Sequence, residues 1–123
     1  MSANQLQNVT FVQAKGLKEL GFDWPTRERY FSDGTVWLSE TSRNHNSGDG
    51  VSAPTLALAQ KWMRDVNGYS SYIIRNNENR YTFCYQRPID DTIVFLDKFY
   101  DTYDAADSAA LDAIIDEMER SAL

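Results

Sequence analysis

The stretch "RERYFSDGTVWLSE", Arg27 to Glu40, decides the reading of this chain. Asp33-Gly34 stands between two apolar segments. That dipeptide is a preferred centre for a type I′ turn, which needs positive φ at both central residues. The flanking segments are therefore expected to pair as antiparallel strands. With Asp33-Gly34 as a two-residue loop, Ser32 faces Thr35, Phe31 faces Val36, Tyr30 faces Trp37, Arg29 faces Leu38 and Arg27 faces Glu40. One aromatic pair and one opposite-charge pair then lie across from each other. Tyr30 and Trp37 fall on one face and Phe31 on the other, so helices covering a single face would leave some rings exposed for a partner.

Upstream, Thr10-Phe11-Val12-Gln13 has capping-box spacing and predicts a helix from about Thr10. Phe11, Ala14, Leu17 and Leu20 keep helical spacing. Gly16 weakens that helix by about 1 kcal/mol against alanine. Gly21 fits a left-handed stop, with Phe22 packing back. The polar residues 1–9 are expected to be a flexible N-terminus, and 10–123 a single α+β domain.

Downstream, "TSRNHNSGDG" (Thr41 to Gly50) reads as a flexible polar loop. "SAPTLALAQKWMRD" (Ser52 to Asp65) then predicts a second helix, with Ser52 as cap and Pro54 in the first turn. Leu56, Ala59, Met63 and Val66 make its apolar side, Trp62 lies alongside, and Asn67-Gly68 ends it. A second hairpin follows as "YSSYIIR", the loop "NNEN" and "RYTFCYQ". Tyr81, Phe83 and Tyr85 alternate with Thr82 and Cys84, the period of a half-buried strand. "TIVFL" is a short fifth strand or an extended connection. Thr102 caps the last helix, whose apolar stripe is Leu111, Ile114, Ile115, Met118 and Ala122. The fold class is α+β: an antiparallel sheet of four to five strands with three helices, in the order α-β-β-α-β-β-(β)-α. The order reads as a pseudo-repeat of α-β-β units.

Charge is divided along the chain. Residues 88–123 hold ten of the 18 acids and two of the 12 bases, Lys98 and Arg120, a net of −8 that leaves +2 for residues 1–87. This argues against non-specific nucleic-acid binding, which needs a basic surface, and is compatible with a basic protein partner. No apolar run approaches the roughly 20 residues needed to span a bilayer, so no membrane association is expected. The N-terminus lacks a basic segment followed by an apolar one, and a lone Cys84 fits a reducing compartment, so a cytoplasmic location is expected.

Catalytic constellations are scarce. His45 is the only histidine, in the polar loop, where Asp49 is placed to orient it. These two are the alternative ligand-binding residues. A Cys84–His45 nucleophile pair would need that loop to fold over the second hairpin, and a small buried thiol is the simpler reading. One histidine and one cysteine exclude a standard structural zinc site. "NHNSGDG" lacks EF-hand spacing, and Asp90, Asp91, Asp97 and Asp101 read as caps and turns rather than cation ligands. No phosphate-binding GxxxxGK[ST], no GxGxxG and no GxSxG occurs. No cofactor, no metal and no catalytic residue is expected.

On the last helix, Asp112, Asp116 and Glu119 recur at i, i+4 and i+7, and like charges at that spacing cost a few tenths of a kcal/mol each. With Asp104 and Asp107 in the first turns, they are the expected partner-binding residues. The chain also resembles a group of short proteins of Bacteroides-type gut bacteria and their phages and mobile elements. "LKELGFDWP" (Leu17 to Pro25), "SAPTLALAQKWMRD" and "FYDTYDAADSAALDAII" (Phe99 to Ile115) carry that resemblance in order and spacing. It implies a compact α+β fold and an accessory setting, and brings no site residues. The expected function is a small soluble non-enzymatic interaction or accessory protein with an acidic C-terminal helix as contact surface. The alternative is a ligand-binding or enzymatic domain using the loop 41–50.

Overall fold

Both hairpins turn on three residues, where the sequence predicts two in the first and the four of "NNEN" in the second. The computed structural model describes residues 7–48 and 50–121. Between β1 (Thr26–Tyr30) and β2 (Val36–Arg43), Phe31 N–H donates to the Thr35 carbonyl and Gly34 N–H to the Phe31 carbonyl, both at 2.9 Å. Only Gly34 is left-handed in this loop, at φ +87°. The Asp33 carboxylate instead accepts the Thr35 N–H and hydroxyl, at 3.0 and 2.7 Å. The result is a β-turn closed by a glycine bulge, not the type I′ turn expected.

That one extra loop residue moves the register. Tyr30 faces Val36, Arg29 faces Trp37 and Glu28 faces Leu38. A one-residue slip exchanges the two faces of a strand. Phe31 and Trp37 therefore share the outer face, with ring centroids 6.2 Å apart. Tyr30 turns inward instead, where Phe11 lies 5.3 Å away and its hydroxyl donates to the Val9 carbonyl at 2.6 Å.

The second hairpin, β4 (Ser70–Arg75) and β5 (Tyr81–Gln86), repeats the design. Asn76 N–H donates to the Arg80 carbonyl and Asn79 N–H to the Asn76 carbonyl. Asn79, at φ +59°, stands where Gly34 stands in the first. Asparagine is among the few residues that tolerate this region.

The expected single sheet is two. Val51–Ser52, a two-residue strand β3 absent from the expected order, returns to β1 and gives β2-β1-β3. Ile93–Phe95 is a true strand, β6, and pairs with β5 to give β4-β5-β6. Both sheets are antiparallel. The two α-β-β units share local design, but their third strands join different partners. The first adds to the earlier hairpin strand and the second to the later one.

Helix α1 (Phe11–Glu19) carries the capping box as expected, with Thr10 and Gln13 exchanging bonds. It ends at Gly21, φ +96°, where Phe22 N–H reaches the Leu17 carbonyl and Gly21 N–H the Lys18 carbonyl. This is the double bond of a Schellman stop. Helix α2 (Leu56–Asp65) starts one turn later than expected. Thr55, not Ser52, caps it by accepting the Leu58 N–H at 3.1 Å. Pro54 lies before the helix, and its carbonyl takes the Val9 N–H. Leu56, Ala59, Trp62 and Met63 are buried, whereas Val66 is exposed. Helix α3 (Tyr103–Ser121) is capped by Thr102 Oγ1, which accepts the Ala105 N–H. It buries Leu111, Ile114 and Ile115, with Met118 partly covered, while Ala122 lies outside the described residues.

One core joins the helices to the inner faces of both sheets. Phe22 meets Trp62 edge-on at 5.3 Å, and Phe83, Tyr85 and Leu111 belong to the same cluster. Residues 7–9 pack against the chain before α2. Val9 is buried, Asn8 pairs with Thr55, and Leu56 N–H donates to the Gln7 carbonyl. Among the described residues no helix is long and apolar enough to cross a membrane.

Candidate functional site

The five acids singled out on the last helix do not form one surface. Asp112, Asp116 and Glu119 are exposed along one side of α3. Asp107 points toward α2, where its carboxylate accepts from Gln60 Nε2 at 3.0 Å. Burial, partly offset by that bond, holds its carboxyl above the ordinary range. Asp104 is exposed in the first turn, and the two lie together in a cleft of about 320 Å³ with Gln60, Arg64 and Tyr103. Asp112 accepts from Gln13 Nε2 at 2.9 Å, and Asp116 pairs with Arg120 at 3.5 Å.

The polar loop is built rather than loose. Thr41–Arg43 continue β2, and His45–Ser47 form a 3₁₀ turn. Asn44 Oδ1 accepts the Asn46 N–H, Asn46 Oδ1 accepts the Ser52 N–H, and Asn46 Nδ2 donates to the Phe22 carbonyl. Lys18 Nζ reaches back from α1 to the carbonyls of Gly48 and Gly50, at 2.6 and 2.8 Å. These side chains satisfy backbone groups that sheet or helix would otherwise pair.

The loop closes over the outer face of the first sheet and buries His45, which is 4% exposed. Its backbone N–H donates to Ser52 Oγ. Its Nδ1 accepts from Arg43 Nε at 3.4 Å, and its Nε2 is buried without a partner. Burial first, then the charges of Arg43 and Arg29, push its pKa below 6.5, against a small opposing pull from the Thr26 carbonyl. Beside it, the Arg29 guanidinium lies 5.2 Å from the Phe31 ring and 5.8 Å from the Trp37 ring. Arg29, Arg43, Asn44, His45, Ser47, Gly48 and Gly50 line a cleft of about 230 Å³. Asp49, expected to orient His45, lies outside the described residues. The sequence named the histidine but not its two arginines. Arg29 is brought in by pairing with Ser52 across β1 and β3, a contact of residues 23 positions apart.

Cys84 is buried, and burial alone pushes its thiol pKa up. It sits on β5 in the second sheet, while His45 belongs to the loop over the first, so the two make no nucleophile pair. Asp90 is an acceptor for Thr92 N–H, Asp91 shapes the β5–β6 turn at φ +58°, and Asp101 pairs with Arg80. Among the described residues no three His, Cys, Asp or Glu side chains gather as a metal site.

The second sheet has an open face. Tyr72, Cys84 and Phe95 form one rung across its three strands. Cys84 is covered, but Tyr72 is 51% and Phe95 67% exposed, and Ile74 and Ile93 beside them are exposed too. Helix α3 packs on the opposite face, which carries Phe83 and Tyr85. No known family profile matches the chain, and no similar curated protein or solved structure was found.

Proposed function

We propose that this chain is a non-enzymatic protein-interaction or accessory protein, which holds a basic-rimmed protein partner against the open face of the β4-β5-β6 sheet. The observation that carries this reading is the row of Tyr72, Ile74, Ile93 and Phe95, left uncovered on a three-stranded sheet. Contiguous exposed apolar area on a small domain marks contact surfaces, and aromatic side chains are common anchors there. Asp90, Asp91, Asp97 and Asp101 flank β6 in the chain, which favours lysine and arginine on the partner's rim. Asp112, Asp116 and Glu119 lie on α3, across the sheet from that face, and offer a separate acidic contact surface, with Asp107 less available because it faces α2. An accessory setting of the Bacteroides or phage type agrees with the resemblance of the helical blocks.

The test is affinity capture with the purified chain as bait, beside Phe95→Ser and beside Asp112, Asp116 and Glu119 reversed to lysine. A protein retained by the parent chain, released by salt and lost with Phe95→Ser supports the reading. Capture indifferent to both variants, or self-association through this face in light scattering, overturns it.

A further inference from the structure

The geometry points to a second, independent site: the cleft between β1, the 3₁₀ turn and the backbone of Gly48 and Gly50 binds a small phosphate-class oxyanion through the guanidinium groups of Arg29 and Arg43, beside the ring of His45. Three observations on separate elements converge there.

The first is the histidine. Because Arg43 Nε is a donor, the Nδ1 atom it meets is the acceptor of the ring, and the proton of the neutral imidazole sits on Nε2. That N–H is buried and makes no well-formed hydrogen bond, with only the Thr26 carbonyl drawing on the ring. A buried donor without a full partner costs about 1–3 kcal/mol, so the ring beside the cleft is sensitive to an anion that enters it.

The second is the pair of arginines. Arg29 is held over two aromatic rings, and its Nε is also buried without a partner. Arg43 gives only its Nε to the histidine, which leaves its terminal nitrogens available. Among the ion pairs of the described residues neither arginine has a carboxylate. Two guanidinium forks beside one cleft match the several oxygens of a tetrahedral anion better than the two of a carboxylate.

The third is the room. A Cβ on Gly50 would stand 2.9 Å from Arg29 Cζ and 2.9 Å from the His45 carbonyl oxygen, so only glycine lets the guanidinium lie here. The cleft of about 230 Å³ exceeds the share of several water molecules, at about 30 Å³ each. Lys18, Asn46 and Ser52 fix its walls through hydrogen bonds, so little ordering is left for binding. The opening to solvent leaves space for the rest of a phosphate monoester.

His45 is the only histidine, so its ring resonance is an unambiguous reporter. The full chain is titrated at pH 7.5 with inorganic phosphate and, separately, with glycerol phosphate, against sodium chloride at matched ionic strength. A saturable shift of the His45 resonance with phosphate and not with chloride is expected, weakened roughly tenfold or more in Arg43→Gln. Arg43 is exposed, and circular dichroism checks that its variant keeps the fold. Arg29→Gln is expected to act alike, and Arg75→Gln, on the second sheet, to bind as the parent does. Tighter binding of glycerol phosphate than of inorganic phosphate identifies a monoester as the ligand, and the reverse identifies the free anion. No saturable shift with either, the same shift with chloride, or full binding in folded Arg43→Gln overturns the site.

Discussion

Ile115 Cγ2 lies 2.9 Å from the place a Cβ on Gly16 would occupy. The glycine that weakens α1 as a helix is what lets α1 and α3 approach. Gly16→Ala is expected to destabilise the chain by about 1–3 kcal/mol through overpacking, although alanine gains about 1 kcal/mol in helix propensity. Urea unfolding measures it. Adding Ile115→Ala should cost less in this background than in the parent, and strict additivity of the two would refute the contact.

Gln13 is buried and works at both ends. Its Oε1 accepts the Thr10 N–H, and its Nε2 shares two hydrogens among the Ser108 carbonyl, Ser108 Oγ and Asp112 Oδ1, each at 2.9 Å. Gln13→Glu removes those donors and sets a carboxylate beside Asp112. A loss of about 2–4 kcal/mol at pH 7 is expected, shrinking toward pH 4 as the carboxyls protonate. Equal losses at both pH values would mean that charge plays no part.

The two turns give a matched comparison. Asn79→Ala is expected to cost about 1–2 kcal/mol, because alanine gains nothing locally to offset a left-handed backbone. Asn79→Gly should stay within about 0.5 kcal/mol of the parent. At Gly34 an alanine meets the same φ penalty and also the Phe11 ring, 3.2 Å from the added Cβ, so Gly34→Ala should cost more than Asn79→Ala.

His45 titrates below 6.5 because burial and two arginines oppose its charged form. Between that lowered pKa and 6.5 the unfolded chain binds more protons than the folded one. The contribution of His45 to stability is therefore full above pH 6.5 and is lost as pH falls through this window. In His45→Gln that part of the pH dependence should vanish, as thermal melts at pH 5 and 7.5 would reveal. Asp107 has the opposite sign. Its carboxyl is raised by burial, so it costs stability at neutral pH and less as pH falls toward its folded pKa. Asp107→Asn, which keeps the oxygen for Gln60, should raise Tm at pH 7 by about 1–3 °C, a small gain because the group is partly solvated.

The open sheet face separates contact residues from core residues. Phe95→Ser should change stability by less than about 0.5 kcal/mol and lower dye binding to exposed apolar surface. Phe83→Ala, on the other side of the same sheet, should cost about 3–5 kcal/mol. Comparable losses for the two would mean that the face is covered.

Local rules were enough to read much of this protein. Thr10 and Gln13 cap α1, Gly21 stops it and Thr102 caps α3, all through bonds between residues a few positions apart, whereas β5 buries Cys84 as well as Phe83 and Tyr85 and so does not alternate in burial as expected. The hairpin at Asp33-Gly34 was legible as a hairpin but not in register. Whether Asp33 takes a positive φ or accepts the Thr35 N–H is a balance of small local energies, and one residue of loop length decides which rings face solvent. The division into two sheets was not legible either. It depends on a two-residue strand, Val51–Ser52, too short to carry a periodic pattern. The arginine–histidine cleft is the clearest case. Arg29, Arg43 and His45 belong to β1, β2 and the loop after it, and nothing in the sequence marks Arg29 as a neighbour of the other two. Sequence alone determined the three helices, the caps of α1 and α3 and the existence of the hairpins, because those rest on nearest-neighbour hydrogen bonds. Only the tertiary structure decided the sheet partners, the open aromatic face and the buried histidine between two arginines, because those rest on which distant surfaces the core brings together.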